Sequence, residues 1–364
     1  MNAPLRLSSL HLFQFKSYAS QQIDFPSRIL GFCGPNGVGK TNLLDAIYYL
    51  CLTKGYFSRS DGSNVLFGHQ GFRIEGVFEK EGRIFKINVI LRENGKKELS
   101  VNGEAYSRFS DHIGKFPVVV VAPDDSVIFT GASEERRKWL DTLQSQINPA
   151  YLHQLIRYNR LLTQRNSLLK QFFESGRRDM GLLEVIDDQL IESGQFIFTA
   201  RRDFLKIVLP EIEDVYKRLA GKDDGLRISY ESQLSERSFP ELLSLNRDRD
   251  FNSMRTTTGT HRDDIDFSLQ DQPFRQLASQ GQRKTALFAL KIAEFNMIQK
   301  YNGTPPLLLL DDVFEKLDEE RMQNLLHWAC IDNKGQVFLT DTHPERLETV
   351  LNKLSIDFHI QKLG

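Results

Sequence analysis

Two kinds of hydrophobic pattern alternate along the chain. Val118–Ala122 and Leu307–Leu310 are unbroken aliphatic runs. They fall far short of the ~20 residues needed to cross a bilayer, and predict strands buried on both faces, as in a parallel sheet. Ile29, Leu30 and Phe32 predict another short buried strand, and GQVFLTDTHPERL (Gly335–Leu347) one more, ending in polar residues. Leu43, Leu44, Ile47, Leu50 and Cys51 follow at helical spacing. From Gly71 to Val101, turns at Gly82 and Asn94-Gly95 predict an antiparallel β-lobe. Between about Ser133 and Ser253 the strand signals fade. Leu152, Leu155, Ile156, Leu161, Leu162, Leu168, Leu169 and Phe172 recur at three- and four-residue steps, and the pattern repeats over Gly181–Gly221. Gly176 and Gly181 separate the two stretches, so the region reads as an antiparallel helical pair. No heptad pattern runs far enough for a long coiled coil. The expected organisation is an α/β head, residues 1–132 and 254–364, interrupted by a helical arm, residues 133–253.

Composition narrows the class. The chain has 364 residues, 40% hydrophobic and 26% charged, as in ordinary globular proteins. A net charge of −1 means that any nucleic-acid surface must be local. Cys33, Cys51 and Cys330 are odd in number and scattered, which excludes a disulfide framework or a CxxC knuckle and fits a reducing cytosol. The N-terminal MNAPLRLSSLHLFQF lacks a continuous apolar core with a cleavage site. A cytoplasmic protein without a membrane role is expected.

The chemistry concentrates in three places. Gly34-Pro35-Asn36-Gly37-Val38-Gly39-Lys40-Thr41 matches the phosphate-binding loop pattern in full, between a predicted strand and helix. Its glycines let backbone N–H groups point inward, Lys40 is suited to reach the β- and γ-phosphates, and the Thr41 hydroxyl to ligate Mg²⁺. PPLLLLDDVFEKLD (Pro305–Asp318) ends a buried strand in two aspartates. Asp311 is suited to hold Mg²⁺ through its water shell, and Asp312 to orient or deprotonate an attacking water. LASQGQRKTALFALK (Leu277–Lys291) carries a second small polar turn at a helix start, far from the first. Cys33 beside the loop has no evident base and reads as packing. His261-Arg262-Asp263-Asp264 reads as a charged turn joining arm to head rather than a metal cluster.

A phosphate loop, a buried strand ending in Asp-Asp, Leu317-Asp318 beyond it and a Ser-x-Gly-Gln turn before it form a constellation that resembles the ATP-binding-cassette (ABC) ATPases. The resemblance implies an ABC-type P-loop ATPase head that binds ATP with Mg²⁺. It also implies that Ser279, Gly281 and Gln282 complete the γ-phosphate site of a second copy, in an ATP-driven head-to-tail dimer. His343 is the candidate for the γ-phosphate-sensing position, with Thr340-Asp341 nearer the strand end. Asn42 after the loop and Phe15-Lys16-Ser17-Tyr18 near the N-terminus are similar to the chromosome-maintenance and repair branch. PDDSVIFTGASEERRKWLD (Pro123–Asp141) and GTHRDDIDFSL (Gly259–Leu269) resemble stretches of the RecF family, with Ser133 for a usual Pro, Trp139 for a usual Phe and Thr260 for a usual Pro. That family implies an ATP-dependent DNA-binding protein of recombinational repair and replication restart. It acts at gaps and single-strand/double-strand junctions, hydrolyses ATP slowly, and with RecR and RecO helps load RecA.

The predicted arm supplies a candidate DNA surface of its own. Arg157, Arg160, Arg165, Lys170, Arg177 and Arg178 face a single acid, Glu174, over residues 157–178, near Tyr158, Asn159, Gln164 and Asn166. Two rival readings are a transporter-type cassette and a nucleotide-gated scaffold. The inserted arm and Asn42 weigh against the first. Asp312, one methylene shorter than the usual Glu, leaves the second open.

Overall fold

The computed structural model describes residues 4–58, 60–312 and 319–364. It divides into two compact units, Met1–Asp125 with Lys284–Gly364, and Ser126–Arg283. The expected arm, 133–253, lies within the second unit, which extends beyond it on both sides and takes in the turn at Ser279. That division follows the packing. The segments flanking the helical pair form a small sheet that buries its apolar residues against their own helices.

In chain order, the first unit opens with β1 (Arg6–Phe15), β2 (Tyr18–Asp24), β3 (Ile29–Cys33) and α1 (Lys40–Leu52). It continues with β4 (Phe72–Lys80), β5 (Arg83–Leu91), β6 (Lys97–Val101), β7 (Glu104–Ala105) and β8 (Val118–Val121). The second unit holds α2 (Val127–Thr130), α3 (Ser133–Ile147), α4 (Pro149–Ser175) and α5 (Met180–Ala220). After them come β9 (Leu226–Glu231), α6 (Phe239–Leu245), α7 (Arg247–Ser253), β10 (Asp264–Leu269), β11 (Gln272–Pro273) and α8 (Phe274–Leu277). The chain then returns through α9 (Gln280–Asn302), β12 (Leu307–Leu310), α10 (Glu319–His327), β13 (Val337–Asp341), α11 (Pro344–Lys353) and β14 (His359–Lys362).

Two sheets build the first unit. One is antiparallel, in the order β2-β1-β4-β5-β6-β7, and contains the expected β-lobe. The turns after Lys80 and near Asn94 use Gly82 and Gly95 at positive φ. The other is parallel, in the order β14-β3-β13-β12-β8. β3, β8, β12 and β13 are buried at every residue, and β8 and β12 accordingly read as unbroken aliphatic runs. Helix α1 is apolar nearly all round and packs into one core with both sheets, through Leu43, Ile47 and Leu50 among others. The phosphate loop is thereby anchored to a rigid helix whose N-terminus emerges at the carboxyl edge of the parallel sheet.

In the second unit α4 and α5 run antiparallel. Tyr158 and Leu161, early in α4, share a core with Ile197 and Phe198. Leu168, Leu169 and Phe172, near its end, share one with Leu183, near the start of α5. Asn148 and Asp179 cap the two helices by accepting from the N–H groups of Tyr151 and Leu182. Among the described residues no helix is long and apolar enough to cross a membrane.

Candidate nucleotide site

β3 delivers the chain into the phosphate loop. Gly34 has no room for a side chain, since a Cβ there would lie 2.3 Å from the Leu363 carbonyl oxygen that follows β14. Gly39, at φ +107°, forms the entry to α1 and leaves that helix without a side-chain cap. Its carbonyl accepts from the Tyr18 hydroxyl at 3.0 Å. Asn42 donates to Ser17 Oγ at 2.9 Å, and Lys16 pairs with the buried carboxylate of Asp45. The Lys16-Ser17-Tyr18 turn between β1 and β2 therefore braces the loop. Asn42 and Phe15–Tyr18 were both legible in the sequence, but only the fold joins them. The Lys40 ammonium, almost wholly buried, curls back onto the carbonyls of Gly34 at 2.7 Å and Pro35 at 3.0 Å. The open N-terminus of α1 and this cation make a ready anion cradle.

The acidic strand end meets the loop across 270 positions of sequence. The Thr41 hydroxyl lies 2.9 and 3.1 Å from the two carboxylate oxygens of Asp311. Thr340, fully buried at the end of β13, donates to Asp311 at 2.8 Å and accepts from the Asp312 N–H at 2.8 Å. Burial pushes the Asp311 carboxyl up, while hydrogen bonds from Thr340 and Thr41 and the charge of Lys40 act against it. A divalent cation would offset that desolvated charge, and the hydroxyl and carboxylate are hard oxygen donors of the kind Mg²⁺ prefers. Asp312, just beyond β12, sits at φ +46°, a left-handed conformation that costs a non-glycine residue energy. Of the two sensor candidates, Thr340 touches the acidic pair. His343 stands exposed before α11, with Nδ1 2.8 Å from Thr342 Oγ1. Leu317-Asp318 lies outside the described residues.

The second turn is closed on itself. The Ser279 N–H donates to Gln282 Oε1 at 2.9 Å, and the Gln282 N–H donates to Ser279 Oγ at 3.2 Å, a reciprocal capping box at the start of α9. Ser279 is nonetheless exposed to solvent.

Arg136, Arg137 and Arg201 join the His-Arg-Asp-Asp stretch in a largely buried network. Arg136 holds Asp264 through two bonds, at 2.6 and 2.9 Å. Arg201, buried in α5, bonds Asp263 at 2.7 Å and Asp141 at 2.8 Å. The Tyr230 hydroxyl completes the set on Asp263 at 2.6 Å. His261 accepts from Tyr158 at Nδ1 and donates from Nε2 to the Thr256 carbonyl. Burial drives its pKa down to about 4, so it is neutral. The predicted charged turn is thus an internal anchor of the second unit. Arg201 went unnoticed because nothing beside it in sequence announces a partner.

The basic cluster on α4 and the turn after it separates into distinct groups. Arg165 does not face solvent, which corrects its reading as a DNA contact: it is fully buried, bonded to Asp187 and Asp250 at 2.6 Å each. Tyr158 and Asn166 also turn inward, Asn166 accepting from the Thr256 N–H at 2.7 Å. Arg157 pairs with Glu192 at 2.8 Å and Lys170 with Glu174 at 3.7 Å. Arg178 lies 4.2 Å over the Phe251 ring. Arg160 and Arg177 are exposed on the surface.

A phosphate loop at the carboxyl edge of a parallel sheet, an acidic strand end bonded to its threonine and an antiparallel lobe define an ABC-type P-loop ATPase head. The family described as RecF/RecN/SMC N terminal domain matches residues 6–362. The DNA replication and repair protein RecF of Flavobacterium johnsoniae is 38% identical over 99% of this chain and 100% of its own. A solved structure of the recombination mediator protein RecF with ATPrS, of the RecFOR pathway, superimposes with a TM-score of 0.87 at 28% identity, covering 94% of each chain. The Smc head domain of Pyrococcus furiosus shares the fold, with a TM-score of 0.51 at 14% identity over 97% of this chain and 100% of that one. The chain belongs to the RecF family.

Proposed function

We propose that this protein is an ATP-dependent DNA-binding ATPase of recombinational repair and replication restart. ATP binding pairs two copies head-to-tail on gapped or junction DNA, and slow hydrolysis releases them. The observation that carries the reading is the convergence of Thr41 on both oxygens of Asp311, beside Lys40. Bound Mg²⁺ would neutralise phosphate charge between Thr41 and Asp311. Lys40 would exchange its two carbonyl partners for the β- and γ-phosphates, and the uncapped N-terminus of α1 would add its dipole. Asp312 would orient or deprotonate the attacking water. Ser279, Gly281 and Gln282 of one copy would close the γ-phosphate site of the other. The likeness to the RecFOR mediator supports a place beside RecO and RecR in loading RecA, in the cytoplasm. Arg160, exposed on α4, and Arg177, exposed in the turn after it, are the arm's candidate DNA contacts.

Anisotropy of a labelled gapped duplex tests this reading. Wild type should bind with ATP·Mg²⁺, Asp312→Asn should bind and persist, and Lys40→Ala should not respond to nucleotide. Binding that ignores nucleotide in all three proteins would overturn it.

A further inference from the structure

The Gln282 side chain is held at both ends. Its Oε1 accepts from the Ser279 N–H, and its Nε2 donates to Asp224 Oδ2 at 3.1 Å. Asp224 follows the C-terminus of α5 and is about nine-tenths buried, with a side-chain exposure of 10%. The same oxygen accepts from the Tyr216 hydroxyl at 3.1 Å, and Oδ1 pairs with Lys222 at 3.0 Å. Burial pushes this carboxyl up, yet the bonds from Gln282, Lys222 and Tyr216 hold it below its ordinary range, so it is ionised at neutral pH.

A primary amide has one accepting end and one donating end, whereas a carboxylate only accepts. Asp224 therefore fixes which way the Gln282 amide faces. With Nε2 turned to Asp224, Oε1 must face the Ser279 N–H. Without the carboxylate only the Ser279 N–H selects the amide's orientation, since a flipped NH₂ would oppose that N–H, donor against donor, and the side chain loses its second tether. The bond from the Ser279 N–H to Oε1 would loosen, while the Gln282 N–H would keep its bond to Ser279 Oγ.

We infer that Asp224 is a positioning residue for the Ser279–Gln282 turn: it sets the Gln282 amide and so preorganises the turn that a second copy's nucleotide must meet. The last clause rests on the ATP-driven pairing proposed above; the positioning itself does not. Because Asp224 also holds Tyr216, the end of the 41-residue helix α5 and the turn share one carboxylate.

The test compares Asp224→Ala, Asp224→Asn and Tyr216→Phe with wild type. Tyr216→Phe removes the other hydrogen bond to the same carboxylate oxygen and leaves the Gln282 bond in place. In nucleotide-free protein, hydrogen–deuterium exchange over residues 279–283 should accelerate in Asp224→Ala by about tenfold, the scale of one hydrogen bond to a charged group, and stay at the wild-type rate in Tyr216→Phe. The ATP concentration for half-maximal dimerisation should rise by about as much in Asp224→Ala and less in Asp224→Asn, which keeps an acceptor. Nucleotide affinity of the monomer should not move, because its own phosphate loop is untouched. Unchanged exchange in Asp224→Ala, or equal acceleration in Tyr216→Phe, overturns the inference. If exchange responds as expected but wild type never dimerises, Asp224 still positions the turn, and it is the ATP-driven pairing that fails.

Discussion

The two phosphate-type turns of this chain begin helices in opposite ways. The first, Gly34–Thr41, leaves α1 without a side-chain cap and lines its approach with the positive-φ glycines Gly37 and Gly39. The second, Ser279–Gln282, satisfies its own helix start through Ser279 and Gln282. An open helix N-terminus is a standing anion site. A self-capped one is stable alone and must exchange internal hydrogen bonds for any ligand. The difference fits a division of labour in which the first turn holds nucleotide in the isolated chain and the second engages only when another copy brings one.

The units that carry these turns differ in the same sense. The first is held by a largely apolar core around α1; the second adds buried ion pairs to its apolar clusters. The largest expected effect therefore lies in the second unit. Arg165→Ala should cost about 3–5 kcal/mol in urea unfolding, because it strands Asp187 and Asp250 in the interior. An equal cost for exposed Arg160→Ala would break the distinction between the two arginines. Next comes Lys40→Ala, which should lower kcat/KM for ATP by roughly a hundredfold while leaving the melting temperature nearly unchanged.

Acid should weaken both units. Burial lowers His112 in the first and His261 in the second to about 4, from an ordinary 6.5. Between those values the unfolded chain binds protons at these rings that the folded chain does not, so stability falls as pH drops through the window. Urea titrations from pH 7 to 4 should show it, with the slope in His112→Gln shallower by up to about 1.4 kcal/mol per pH unit. The smallest effect is Ser279→Ala, about 1 kcal/mol from the lost cap. The same substitution in a turn that is not a cap would cost nothing measurable.

Much of the first unit was legible because its signals are local. The phosphate loop is contiguous, and the doubly buried strands β8 and β12 read as unbroken aliphatic runs. The second unit hid its seam. On α4 the buried face recurs at every seventh residue as Tyr151, Tyr158, Arg165 and Phe172, and on α5 it passes through Asp187, Gly194 and Arg201. A search for hydrophobic periodicity skips those polar positions, so the heptad looked broken and Arg165 looked like a surface cation. Its partners come from α5 and α7, and no spacing along one helix reveals them. Asp224 was invisible for the same reason, being a loop carboxylate whose meaning depends on Gln282.

The central claim is that the second turn serves another copy's nucleotide. Light scattering of wild type, Asp312→Asn and Ser279→Arg, with and without ATP·Mg²⁺, tests it most directly. The account predicts that ATP doubles the mass, most strongly in Asp312→Asn, and that Ser279→Arg stays monomeric. A mass that ignores ATP, or a Ser279→Arg protein that dimerises as well as wild type, would contradict it and leave Ser279 as a helix cap alone.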